Sequence, residues 1–196
     1  MAYPLELSFK VLGFAPQIFL RDAEGNTLFY VRQKLFKFRE EIEVFADADK
    51  AAHLFNINAD KIIDFSARYH FSLPNDGERF GSVKRHGMRS IWRCHYDIFD
   101  DAAVTHTIRE ENAFAKVMDA MFTSLPLVGI LSGYLFHPRF LISNQHGTPV
   151  MRLRKRPAFF EGKFRVELLQ DGLDDLEEWR LLLALLMMVL LERARG

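Results

Sequence analysis

The sequence predicts a mainly β protein: a closed antiparallel barrel threaded by its own C-terminal helix. Three observations lead to this fold class. A strand–turn–strand unit recurs along the chain, other segments alternate with the period of two that half-buried strands show, and Leu181–Leu191 is apolar on every face. A meander of hairpins removes its exposed edges when it closes. A helix that is apolar all round must be enclosed, and in a small β-rich protein the barrel interior is the enclosure available.

The repeated unit is a polar turn that ends in glycine. Gly25, Gly77 and Gly147 each follow residues that include Asn or Asp, and this turn chemistry is typical of hairpins. In each unit apolar residues follow the glycine at +3 and +6, and a basic residue follows at +7. The first and third units also match further on, at the same offset, through the pairs Phe38 and Phe160, Ile42 and Phe164, and Val44 and Val166.

Further strands and two helices complete the pattern. Alternation at Trp92, Cys94, Tyr96 and Ile98 predicts a half-buried strand, and short strands are expected within residues 57–71 and 134–142. Residues 111–124 carry the apolar spacing of an amphipathic helix that caps the sheet. The C-terminal helix is predicted to begin near residue 171, because acidic residues at positions 174–178 favour a helix N-terminus.

Composition supports one folded domain over residues 1–196 and excludes several classes of protein. The 196 residues are 49% hydrophobic and 27% charged, which excludes intrinsic disorder. The 19 phenylalanines suit a core and sheet faces. Because 26 Lys and Arg balance 26 Asp and Glu, there is no global attraction to nucleic acid, and we expect no nucleic-acid partner.

Cysteine usage and the termini point to a cytoplasmic protein. Cys94 is the single cysteine, so an intramolecular disulfide and a multi-cysteine zinc site are excluded. The N-terminus lacks the features of a secretion signal. The apolar run Leu181–Leu191 spans about 16 Å as a helix, against about 30 Å for the hydrocarbon core, so no transmembrane segment is expected. The expected location is cytoplasmic or peripheral to a membrane.

Four segments resemble the LURP-one-related family: residues 61–71, 87–98, 133–138 and 157–164. That family belongs to the tubby C-terminal-like group, with the phospholipid scramblases as cousins, and the resemblance runs over roughly residues 15–192. It implies a twelve-stranded barrel around a hydrophobic C-terminal helix. It also implies a link to lipids, because tubby domains bind phosphoinositides through basic side chains, and scramblases are linked to lipid movement and calcium.

Basic residues cluster inside the repeats and are the candidate contacts for an anionic headgroup. If equivalent positions fall near one another in the fold, they form a local basic patch in a chain without net charge. The candidates are Arg32, Lys34, Lys84, Arg85, Arg89, Arg152, Arg154 and Lys155. The alternative is that they lie on outward strand faces and pair with acidic neighbours. Arg85 and Lys155, together with Gln33, are expected to point inward or to the barrel mouth, with the acidic stretch Asp171–Glu178 or a ligand anion as partner.

Catalytic and metal-binding patterns are missing from the sequence. The seven histidines show no helical i, i+4 pair and no ligand spacing with carboxylates, and none of the common nucleotide-binding or hydrolase motifs occurs. We therefore expect no enzyme, no cofactor and no metal. The function expected is a binding module for an anionic phospholipid or a protein partner. The alternatives are an interaction protein without a ligand and, less favoured, a small-molecule binder or enzyme, because a plugged barrel leaves little cavity.

Overall fold

The computed structural model describes residues 1–10, 17–32, 42–60, 67–86, 95–111, 139–157 and 161–193. Within these ranges the chain forms twelve β-strands and then one helix. The strands are β1 (Leu5–Lys10), β2 (Gln17–Arg21), β3 (Thr27–Arg32), β4 (Ile42–Phe45), β5 (His53–Ala59), β6 (Arg68–Ser72), β7 (Arg79–Arg85), β8 (His95–Asp100), β9 (Ala103–Glu110), β10 (Arg139–Asn144), β11 (Pro149–Arg156) and β12 (Glu161–Leu168), and the helix is α1 (Asp175–Arg193).

The strands form a closed antiparallel barrel with the simplest possible order. Each strand pairs with its neighbours in the chain, and β1 pairs with β12 to close the sheet, with Leu5 opposite Val166. Closure leaves no strand edge for another chain to pair with. The predicted closed barrel is confirmed, and so is the strand number that the family resemblance implies.

The repeated glycine turns are confirmed as hairpins. Gly25, Gly77 and Gly147 have φ of 91°, 69° and 80°, a left-handed conformation that glycine adopts without steric strain. In the first turn the Asp22 carboxylate accepts hydrogen bonds from two backbone N–H groups, and Asn144 does the same in the third. The apolar residues at +6 are fully buried, and the basic residues at +7 are exposed. These turns connect β2 to β3, β6 to β7, and β10 to β11.

Helix α1 fills the barrel. Every residue from Leu181 to Leu191 is buried, with at most 8% of any of them exposed, and they form one cluster with the inward side chains of the strands. This explains why the helix has no polar face: it is surrounded by sheet on all sides. The predicted enclosure of the C-terminal helix is therefore confirmed. No helix in the described ranges is long and apolar enough to span a bilayer.

The helix enters at the barrel end that carries the three glycine turns, which we call the hairpin end. Asp174 caps it, because its carboxylate accepts a hydrogen bond from the Glu177 backbone N–H at 2.7 Å. Inside the entrance the Arg180 side chain donates to the Phe80 carbonyl at 2.7 Å and lies 3.1 Å from Asp100. The C-terminal end of α1 therefore lies at the opposite end of the barrel, which we call the far end.

Several sequence predictions fall outside the described residues. These are Trp92 and Cys94 of the alternating strand, Phe38 and Phe160 of the repeat, and the helix over 111–124 beyond residue 111. The rest of the alternating strand is confirmed, because Tyr96 and Ile98 are fully buried within β8. Strand β10 begins at Arg139, and the earlier part of the segment predicted for it, residues 134–138, also lies outside.

A buried histidine at the hairpin end makes the fold sensitive to acid. Burial lowers the pKa of His106, and the nearby Arg180 guanidinium lowers it further, while Glu177 lies 3.6 Å away. In the unfolded chain a histidine has a pKa of about 6.5. At pH values between the lowered pKa of folded His106 and that of the unfolded chain, the unfolded chain binds more protons than the folded protein. The free energy of unfolding therefore falls as the pH drops through this range.

We expect the free energy of unfolding to decrease as the pH is lowered from neutral through this window, and His106→Gln to reduce that decrease. Urea unfolding at neutral and mildly acidic pH measures it. Some dependence should persist, because burial also lowers the pKa of His70 and His95. His146→Gln, at an exposed turn of the hairpin end, is the matched control and should leave the dependence unchanged. An unaltered pH dependence in His106→Gln would contradict the assignment.

Candidate functional site

The two ends of the barrel differ in charge, although the chain as a whole is neutral. The hairpin end is acidic, because its turns use Asp and Glu. These acidic turn residues are Asp22, Glu24, Asp47, Asp49, Asp76, Glu78 and Asp101. Near the far end residues of both signs are exposed among the described residues. The acidic ones are Glu43, Asp60 and Glu111, and the basic ones are Arg32, Lys84, Arg109, Arg139, Arg154, Lys155 and Arg156. Equal numbers of positive and negative residues therefore conceal local clusters of like charge in the described part of the chain.

The basic residues of the three repeats do not meet in one patch. Arg32, Lys84 and Arg154 lie on β3, β7 and β11, each four strands from the next around the barrel. Neighbouring strands are about 4.8 Å apart, so four steps separate these residues by roughly 19 Å along the sheet. The expectation that equivalent repeat positions come together is wrong, because the repeat period of four strands divides a twelve-stranded barrel into thirds.

Arg85 points inward as predicted, but its partner is different. Its side chain is 9% exposed and lies 3.5 Å from the Glu192 carboxylate, which also accepts a hydrogen bond from the Tyr96 hydroxyl at 2.8 Å. The predicted partner, the acidic start of the helix, is at the other end of the barrel. Strand β7 runs from the hairpin end to the far end, so its last residue meets the end of α1. Arg85 is consequently not available to a headgroup.

The other candidates divide into paired, exposed and undescribed residues. Arg152 donates a hydrogen bond to Glu111 at 3.0 Å and lies 3.7 Å from Glu167, so it has the acidic neighbours of the alternative interpretation. Lys155 lies two residues after the buried Leu153 and therefore on the same face of β11. It is exposed nevertheless, because it lies at the barrel mouth. Lys34 and Arg89 lie outside the described residues, as does Gln33.

A cluster of arginines that the sequence analysis only partly identified lies on the outer wall of β10, β11 and β12. Arg154 is directly opposite Arg139 on one side and Arg165 on the other. Arg156 lies on the same face of β11, opposite Lys163. We call Arg139, Arg154, Arg156 and Arg165 the arginine patch.

Most of this positive charge is not neutralised. Arg139, Arg154 and Arg156 are exposed and form no ion pair with any residue that the structure describes. Within the described ranges, the ion pair in the patch is that of Arg165 with Glu167 at 3.2 Å. Glu111 lies beside Arg139, with its backbone N–H donating to the Arg139 carbonyl, but its carboxylate pairs with Arg152. Like charges directly opposite on neighbouring strands destabilise a sheet. A row of them with few counter-charges is therefore a cost to folding, which binding of an anion would relieve.

The patch could have been found in part from hairpin geometry. Arg139 and Arg154 belong to the hairpin that turns at Gly147, so the turn places their strands side by side. The register shift between Ile142 and Ser143 then decides that the two arginines are opposite each other. The position of Arg165 could be predicted only from the register of β11 against β12, and no turn motif in the sequence defines that register. Sequence reasoning therefore identified Arg154 but missed Arg139 and Arg165.

A second group of polar side chains lies on β7 and β8, away from the arginine patch. His86, His95 and Asp97 place ligand atoms within 4.8 Å of one another. Within the described ranges these are the residues that could hold a metal ion. The sequence analysis missed them because the group joins two strands. The sequence signal that could have indicated the group is the spacing of His95 and Asp97, because residues two apart lie on the same face of a strand.

Comparison with known proteins identifies a similar fold. A solved X-ray structure of a protein from Arabidopsis thaliana, AT5G01750, matches with a TM-score of 0.53 and 12% sequence identity. The match covers 100% of this chain and 94% of the other. Neither a family model nor a curated protein matches the sequence.

Proposed function

We propose that this protein is a non-enzymatic module that binds anionic phospholipid headgroups through the arginine patch. The observation that carries the proposal is the row of Arg139, Arg154 and Arg165, side by side and largely without counter-charges. Guanidinium groups suit phosphate oxygens because each presents a planar fork of N–H donors. A basic side chain near an anionic membrane contributes about 1 kcal/mol, so several together are enough for reversible attachment.

A membrane surface fits the shape of the site better than a small soluble anion does. The patch lies on the convex outer wall, where a free phosphate would remain mostly hydrated. The acidic turns of the hairpin end favour the same partner, because an anionic bilayer repels these turns and attracts the arginine patch. The barrel would therefore approach with its far end toward the membrane and the Gly25 and Gly147 turns pointing away.

We also propose that the chain belongs to the LURP-one-related family of tubby-like proteins. Support comes from the four similar segments and from a twelve-stranded barrel that encloses its C-terminal helix. The absence of enzymatic activity is part of the proposal. It is supported by the apolar helix from Leu181 to Leu191, which occupies the space where a barrel enzyme would bind its substrate.

The double variant Arg139→Glu/Arg154→Glu tests the lipid proposal. Binding to vesicles that contain phosphoinositide should weaken at least about tenfold, since two attractive charges become repulsive. Binding of the unaltered protein should also fall as salt is added. The matched control is Lys50→Glu/Arg79→Glu, which makes the same change in net charge at exposed residues of the hairpin end and should change affinity little.

Co-sedimentation with the vesicles measures both variants, and thermal melting checks that each is folded. Equal losses in both double variants would show that net charge, and not the arginine patch, controls binding. Wild-type protein that ignores anionic vesicles at low salt would remove the lipid proposal. An acidic protein partner would then be the better candidate, because the patch offers the same chemistry to Asp and Glu side chains.

A further inference from the structure

We propose that His86, His95 and Asp97 form a binding site for a divalent transition-metal ion such as Zn²⁺. His86 directly follows β7, and its backbone N–H donates to the His95 carbonyl at 2.9 Å, which places the two residues side by side. His95 and Asp97 lie on the outer face of β8, because the intervening Tyr96 is fully buried. Backbone pairing thus brings two imidazoles and one carboxylate together on the outside of the barrel.

The distances between the ligand atoms are close to those of a metal site. One Asp97 oxygen lies 2.6 Å from His86 Nε2, and the other lies 3.5 Å from His95 Nε2. Ligand atoms that share a tetrahedral ion, with bonds of about 2.0–2.2 Å, lie roughly 3.3–3.6 Å apart. Small side-chain rotations therefore suffice to bring all three onto one ion, and the backbone positions need not change.

A structural ion pair between His86 and Asp97 would not explain His95. The Nε2 atom of His95 is buried and makes no hydrogen bond to a residue that the structure describes, although Asp97 is near. Buried polar atoms without a partner are rare, because each loses its hydration. The two imidazole rings also stack, with centroids 4.3 Å apart, an arrangement that is unfavourable when both are protonated. A cation shared by both rings and the carboxylate satisfies the orphan nitrogen.

The donor set selects the class of ion. Imidazole nitrogens with one carboxylate suit Zn²⁺, Co²⁺, Ni²⁺ or Cu²⁺, whereas Ca²⁺ and Mg²⁺ prefer an all-oxygen set. Three protein ligands also leave a fourth position for water. Two basic residues moderate the affinity, since Arg109 is opposite His95 and Lys84 is opposite Asp97 in the sheet. We therefore expect a site that takes up the ion reversibly.

Isothermal titration of the full chain with Zn²⁺ tests the site, and Co²⁺ gives an independent visible spectrum. We expect one ion per chain, with affinity at least about tenfold weaker in His86→Ala and in Asp97→Asn. The side chain of His86 is 55% exposed, so its removal should leave the fold intact, and thermal melting checks this. His146→Ala, which removes an exposed histidine at the other end of the barrel, should bind as the unaltered protein does.

Zn²⁺ affinity that is equal in His86→Ala and the unaltered protein would overturn the site, as would an unaltered protein that binds no Zn²⁺. Binding of Mg²⁺ in preference to Zn²⁺ would overturn the assigned class of ion. The outcome is independent of the lipid proposal, because the arginine patch lies on β10–β12, whereas His86 follows β7 and the other two ligands lie on β8. The Arg139→Glu/Arg154→Glu variant should bind Zn²⁺ normally.

Discussion

Leu185→Asp should unfold the protein. Leu185 is fully buried in the middle of α1 and is surrounded by the barrel wall. The substitution removes apolar packing worth about 2–5 kcal/mol and places a carboxyl group where neither water nor a hydrogen-bond donor reaches it. Together these effects cost about 5 kcal/mol or more, which is comparable with the total stability of a domain, about 5–15 kcal/mol.

The same helix supplies the control for this experiment. Leu176→Asp makes the identical chemical change in the first turn, where the side chain is 43% exposed and a negative charge favours the helix N-terminus. Circular dichroism with urea unfolding should show loss of the cooperative transition for Leu185→Asp only. A cooperatively folded Leu185→Asp protein would contradict the packing of the helix inside the barrel.

Removal of residues 181–196 should have an even larger effect and leave an insoluble or unfolded chain. The deletion takes away the buried run Leu181–Leu191. Each large side chain contributes about 1.5–3 kcal/mol when buried, so their sum exceeds a typical total stability. Gel filtration and circular dichroism measure the result. A monomeric truncated protein with a sharp melting transition would mean that the barrel does not need its helix.

Glu192→Leu should destabilise the far end of the barrel. It removes the carboxylate that faces Arg85 at 3.5 Å and accepts the hydrogen bond of Tyr96. The buried guanidinium then has no counter-charge, and breaking such a pair costs about 3–5 kcal/mol. Because Glu192 is 31% exposed, water partly screens the charge, and we expect a loss of about 2–3 kcal/mol.

The double variant Arg85→Met/Glu192→Leu separates the uncompensated charge from lost packing. Replacement of both partners by apolar residues leaves no buried charge, so much of the stability should return. Urea unfolding of the two single variants and the double variant gives the coupling energy. Additive losses would show that the two side chains do not interact.

How much of this fold could be predicted depends on the distance along the chain that each feature spans. The turns at Gly25, Gly77 and Gly147 are local, so Asx residues and glycine identified them correctly. The enclosure of Leu181–Leu191 was predictable because a helix without a polar face has one physical solution in a β-rich protein. Closure of β1 on β12 followed from the cost of leaving two strand edges exposed.

The candidate sites were harder to predict because they depend on register between strands. Arg165 comes beside Arg154 only through the pairing of β11 with β12, and His86 meets His95 only through that of β7 with β8. The partner of Arg85 was predicted wrongly for a related reason. The acidic start of α1 has the appropriate charge, but strand direction places Arg85 beside Glu192 at the other end of the helix.

The position of α1 after all the strands has a consequence for biosynthesis. Of the strands that the structure describes, β1 leaves the ribosome first and pairs with β12, the last of them, and the core segment emerges only after both. The nascent chain must therefore expose its inward-facing side chains for nearly the whole of translation, at rates of about 5–20 residues per second. The closure of β1 on β12 and the packing of the helix depend on such distant contacts, which form slowly and leave the chain prone to aggregation. We therefore expect the growing chain to rely on chaperones until residue 193 has been made.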